Sequence, residues 1–294
     1  MKRALTKVVM KRLASSIAIG LLTVGVIGSQ QALAATGITN TKHNLTSTGT
    51  GTNKFTATAG GGEICVFCHT PHGAATSAAV PLWNRVLSAP TDYQTYNSLG
   101  TSSLDGITAP VGSVSLACLS CHDGSQAMNV MINAPGSGNY NATTGFNQPG
   151  TWVGSDKITG VNNIALIGTD LRNDHPVGIQ YGGGPVSSIP AAGTVYTSAD
   201  MNDKDFNPAQ SKSINSKSGW WVETGTAGTG RQKSDMQLYT RTGATGVGTG
   251  GATMAGDQPF VECASCHDPH TDTQATFLRI SNDASKVCLA CHIK

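Results

Sequence analysis

The chain has 294 residues, with 19 Lys+Arg against 17 Asp+Glu and a formal net charge of +2. Charged residues make up only 12% and aromatics 5%, while glycine alone supplies 36 residues; an average soluble domain is about 25% charged. This composition excludes a coiled coil, a long helical bundle and a nucleic-acid binder with a basic face. It also argues against a helix-rich enzyme, because little is available to build a large side-chain core.

The first element is a targeting segment. Lys2, Arg3, Lys7, Lys11 and Arg12 form a basic region ahead of the apolar stretch 13–28, and Ala32 and Ala34 hold the small-residue positions of a secretory cleavage site. The stretch contains Ser15, Ser16, Gly20, Thr23 and Gly25, and it is short against the roughly 20 residues that span a membrane. Residues 1–34 are therefore expected to be a signal peptide, and no other segment reads as a membrane span. Losing those five positive charges turns the net charge to −3, so the basicity belongs to the signal.

Residues 35–294 read as a single domain in four parts. The arm, 35–62, is rich in Thr, Gly and Ser and carries His43. Residues 63–125 hold two copies of C-x-x-C-H, with short helical or turn pieces expected at 81–87 and 93–96 between them. Residues 126–262 hold none; they are Gly/Thr/Ser-rich, carry His175, and show strand-like runs at 194–197 and 220–223 that suit short hairpins. Residues 263–294 hold two more copies, the last on a short helix for which Asp283 is a candidate cap.

All eight cysteines belong to these four motifs: Cys65 and Cys68 before His69, Cys118 and Cys121 before His122, Cys263 and Cys266 before His267, and Cys288 and Cys291 before His292. This is the attachment signature of c-type haem. Two thiols one helical turn apart can add to the two vinyl groups on one edge of the macrocycle, and the following histidine then faces the iron. Disulfides, thioredoxin-like pairs and zinc sites do not account for four such copies that use every cysteine. Four covalent haems are expected, with His69, His122, His267 and His292 as proximal iron ligands.

Four histidines remain: His43, His72, His175 and His270. Four irons need four distal ligands, so each is a candidate. Methionine is the other candidate sixth ligand, and Met128 and Met131 follow the second site closely. His72 and His270 each stand three residues after a proximal histidine, across Pro71 and Pro269. Positions i and i+3 lie on one side of a turn, so they cannot straddle one porphyrin, and each must reach a neighbouring haem. The expected pairings are His72 with the second haem, His270 with the fourth, His175 with the first, and His43 with the third haem of another copy, reached by the long arm. The alternative for the arm is to fold back onto its own chain. The porphyrins are expected to supply much of the core. The fold class is therefore mostly irregular coil, with short helices at the haem sites and a few short strands.

The set Cys65…His69-Thr70-Pro71-His72-Gly73, Pro81-Leu82-Trp83-Asn84-Arg85, Cys118…His122-Asp123-Gly124, Asn173-Asp174-His175-Pro176-Val177-Gly178 and Cys263…His267-Asp268-Pro269-His270 resembles the exported multihaem cytochromes of metal-reducing bacteria. With four haems and a ligand-bearing arm, it is similar to the OmcE-type tetrahaem cytochromes that polymerise into extracellular nanowires. Residues 184–258 carry no part of the resemblance. It implies a stacked haem chain and a head-to-tail filament in which His43, from the N-terminal arm, ligates a haem of the next subunit. It also implies redox partners such as periplasmic or outer-membrane cytochromes, extracellular metal oxides or electrodes. The expected function is long-range electron transfer by a secreted protein at the outer cell surface, not catalysis, with no nucleic-acid partner and no integral membrane span. A monomeric periplasmic or surface shuttle is the alternative; a reductase with one open haem is a further one.

Overall fold

The computed structural model describes residues 36–56, 63–101, 103–133, 140–141, 146–147, 151–185, 193–243 and 256–293. The expected signal peptide lies outside the described residues. The chain divides into two units, Met1–Thr36 and Gly37–Lys294, and the second holds all four motifs.

Regular structure is sparse and short, as the composition requires. After a helical turn, α1 (Thr36–Thr39), come β1 (Lys54–Phe55), the helix α2 (Ser113–His122), the short strands β2 (Tyr140–Asn141), β3 (Phe146–Asn147) and β4 (Trp152–Val153), and β5 (Ile179–Gln180). The second half holds β6 (Gln210–Ile214), β7 (Lys217–Val222), β8 (Met236–Thr242), β9 (Asp257–Val261), α3 (Cys263–Cys266) and α4 (Lys286–Cys291). Of the piece expected at 81–87, residues 81–82 turn and Trp83 bridges to His69; near 93–96, 3-10 turns stand on either side, at Pro90–Asp92 and Tyr96–Leu99.

Strands between residues 179 and 261 build the largest regular unit. Five antiparallel strands pair in the order β5-β9-β8-β7-β6. A tight hairpin joins β6 to β7, with Asn215 and Ser216 both in the left-handed region, the twist that a two-residue hairpin turn needs. One sheet face is apolar. Trp220, Val222, Met236 and Leu238 cluster with Tyr181, Tyr196, Met201 and Ala209, all buried, and Cys266, Val287, Ala290 and Cys291 pack against that cluster. The sheet thus supports the third and fourth motifs. A second cluster, Tyr93, Val111, Leu116, Leu119, Leu171 and Val177, backs α2 and touches Cys263. The expectation that porphyrin would replace side chains underestimated both clusters.

The described part of the arm, 36–56, is not a free linker. Asn44 is fully buried; its amide donates to the Thr39 carbonyl at 2.8 Å and to Thr48 Oγ1, and its Oδ1 accepts from the Thr46 hydroxyl at 2.6 Å and from the Thr46 amide. Side chains of this kind fix turns by bonding to nearby backbone. Phe55 then pairs with Trp152 across β1 and β4, and its ring lies 5.8 Å from that of Phe67 beside the first motif. Gly37 packs so closely on the His270–Thr271 backbone that a Cβ there would meet the His270 carbonyl oxygen at 2.5 Å.

Candidate haem-binding sites

Each C-x-x-C-H begins on a helical turn. The first starts within a 3-10 turn (Ile64–Phe67), the second closes α2, the third forms α3 and the fourth ends α4. The His69 and His267 amides donate to the carbonyls of Cys65 and Cys263, and that of His292 to Cys288, so both thiols and the histidine sit on one turn. Asp283 is not the cap of α4. Ser285 holds that place in the left-handed region, and the Val287 amide turns to Asn282 Oδ1.

Three proximal histidines are oriented by backbone carbonyls that sequence reasoning did not find. His69 Nδ1 lies 2.7 Å from the Pro81 carbonyl oxygen, His122 Nδ1 2.7 Å from that of Ala165, and His267 Nδ1 2.7 Å from that of Thr276. Carbonyls only accept, so Nδ1 carries the proton and Nε2 is left with its lone pair, the arrangement that a metal-ligating imidazole uses. The carbonyls come from remote loops, which is why no local motif reports them. The Pro81–Arg85 segment is the clearest case. Asn84 donates its amide to the Cys68 carbonyl at 2.8 Å and its side chain to Val66 O, and Trp83 sits edge-on to His69 at 5.8 Å.

The imidazoles then face one another in pairs. Ring centroids are 6.2 Å apart for His69 and His270, 6.0 Å for His43 and His122, and 5.9 Å for His175 and His267. Two metal–nitrogen bonds of about 2 Å and two ring radii of about 1.1 Å, laid end to end, give about 6 Å. That spacing fits an iron, so each pair would be able to hold one haem iron between its two imidazoles. His43 is held neutral, the form that binds metal: burial, reinforced by His122 and His270 nearby, lowers its pKa to about 4. Phe277 stacks on its other side at 4.5 Å.

The pairings differ from those expected. His270 faces His69 of the first motif rather than the fourth. The bridge between His267 and Leu278 and the bond from the Asp268 amide to Phe277 O turn the chain after α3, and Asp268 Oδ1 holds His270 Nδ1 at 3.0 Å. His175 faces His267 of the third motif rather than the first. Its loop is stapled between two strands of chain, with the Gly178 amide on Val261 O and the Gly178 carbonyl receiving the Ala109 amide; Gly178 needs φ 72° and has Ala109 O 2.8 Å from where a Cβ would stand. His43 faces His122 of its own chain, because the Asn44 turn folds the arm back. His267 and His270 thus face different imidazoles, His175 and His69. Among the described residues, no second imidazole faces His72 or His292. His72 is exposed, and His292 has the Phe206 ring against it, at 4.3 Å.

The motifs also meet one another. Cys68 lies near Cys121, Cys118 is within hydrogen-bonding reach of Cys263, and Cys266 neighbours Cys288 and Cys291. The four sites thus follow in space in the order of the sequence. The junction of the second and third is tied by Glu262. Its carboxylate accepts from the Ser115 hydroxyl at 2.5 Å and from the Arg241 guanidinium, while Ser115 Oγ accepts the Cys263 amide at 3.0 Å. Burial pushes the Cys68 thiol up to about 12.

Residues 256–294 match a family model described as a doubled CXXCH motif. The motif indicates covalently bound c-type haem. The doubled motif points to a multihaem c-type cytochrome that transfers electrons. No curated protein matches the chain.

Proposed function

We propose that this is a secreted cytochrome with four c-type haems that conducts electrons over long distances as a head-to-tail filament at the cell surface. The observation that carries the reading is the histidine arithmetic in space. Three facing pairs lie within one chain, and one proximal histidine, His292, and one spare histidine, His72, are left over and exposed. They stand at opposite ends of the series of sites, His72 three residues from the first proximal histidine and His292 in the fourth motif. The pair is completed when His72 of one copy meets the fourth site of the next. Such a contact is heterologous, and without closure it propagates as a filament. It also brings the fourth site of one subunit beside the first of its neighbour. The expected donor across the interface is thus His72, while His43 serves its own chain.

Bound haem supplies one-electron exchange at iron. With an imidazole on each face, no position remains for a substrate, which favours conduction over catalysis. Export and the extracellular acceptors rest on the signal-like segment 1–34 and on the resemblance to nanowire-forming cytochromes. His72→Ala tests the reading: one haem in four turns high-spin and filaments vanish from electron micrographs. Intact filaments with four low-spin haems would return His72 to the status of a surface residue.

A further inference from the structure

Arg85 is 3% exposed and lies between the first two motifs: the adjacent Asn84 amide bonds the Cys68 carbonyl, and the Arg85 guanidinium reaches the Ser120 carbonyl next to Cys121. Its other bonds also go to neutral carbonyls, Met128 O at 2.9 Å and Ala127 O at 2.5 Å. Its Nε is buried without a partner. Arg172, Arg241 and Arg279 each have a carboxylate within 4 Å, whereas Arg85 has none among the described residues. Asp123, at the end of the same helix, is taken up by Tyr93 and Ser125.

A buried cation without a counter-charge is costly to keep, and a guanidinium does not lose its proton. Oxidised bis-imidazole haem carries one more positive charge than reduced haem. A fixed cation nearby, in a medium that screens weakly, therefore disfavours the oxidised state.

We infer that Arg85 is a built-in positive charge that raises the reduction potentials of the first and second haems. The inference rests on the reading of haem at those two sites and is independent of filament formation. A purely structural strut, closing the carbonyls beyond α2, would hold the fold without moving potentials.

Spectroelectrochemical titration of the haem-loaded protein separates the two. Arg85→Gln, checked by mass for its full haem complement, lowers two of the midpoints and leaves the others in place. Unchanged midpoints in that variant overturn the inference. Should Arg85→Gln fail to accumulate, Arg85→Met, which keeps much of the side-chain volume without the charge, is titrated in its place: two lowered midpoints support the inference, and unchanged midpoints overturn it.

Discussion

Glu262 carries the junction between the second and third haem sites, and Glu262→Gln tests that directly. Its side chain is 1% exposed, against 22% for Arg241. The substitution keeps the shape but removes the charge, so one amide N–H must face either Ser115 or the guanidinium. A hydrogen bond to a charged group contributes about 1.5–3 kcal/mol, and breaking a buried pair from one side costs about 3–5 kcal/mol. Because Arg241 keeps partial access to water and a second bond to Pro110 O at 3.2 Å, we expect the lower part of that range, about 2–4 kcal/mol. For a domain of this size that lowers Tm by about 5–15 °C. The assay is thermal unfolding of the haem-loaded protein, followed by haem-region circular dichroism at neutral pH. Arg241→Ala should cost a similar amount, and the double variant little more than either alone, since both remove one interaction. A Tm within about a degree of wild type for Glu262→Gln, or fully additive losses, would refute the argument.

His43→Ala should leave one haem high-spin in every chain while filaments still assemble, the opposite partition from His72→Ala; loss of filaments with all haems low-spin would return the arm to an interface role. Arg172 holds the Asp170 carboxyl down to about 2 from its ordinary 3.8, through its side chain and its amide. A lowered carboxylate pKa stabilises fully above the unfolded value and fades as pH falls through the folded one. The Tm difference between wild type and Asp170→Asn should therefore be flat from pH 5 to 8 and shrink below about pH 4, and a difference that varies across the neutral range contradicts this assignment.

The chemistry was legible in the sequence because it is local. Each C-x-x-C-H lies on one turn, and the i, i+3 spacing of His267 and His270 already sends them to different partners. The sparse, short elements followed from the glycine content and low aromatic count. The distal pairings were not legible, because they depend on long-range chain returns. His270 reaches His69 across about 200 residues of sequence only when the chain folds back after α3. The arm misled for a different reason. Its Thr, Ser and Gly suggested a long tether, yet Asn44, Thr46 and Thr41 bond to nearby backbone and one another and fix the turn around His43. The five-stranded sheet was legible only in part: 220–223 read as strand-like, but β6 and the first half of β7 are polar, and burial along β7 is confined to Trp220–Val222. The proximal carbonyl partners, Pro81, Ala165 and Thr276, are backbone groups, and no residue identity announces them.

The central claim is that one chain satisfies three irons and borrows the ligand of the fourth. Low-temperature electron paramagnetic resonance of the ferric protein, dispersed to single subunits and again after assembly, tests it most directly. The account predicts that about a quarter of the iron is high-spin in the isolated subunit and that this signal disappears on assembly, since each iron with two imidazoles is low-spin. Four low-spin haems in the isolated subunit would contradict it.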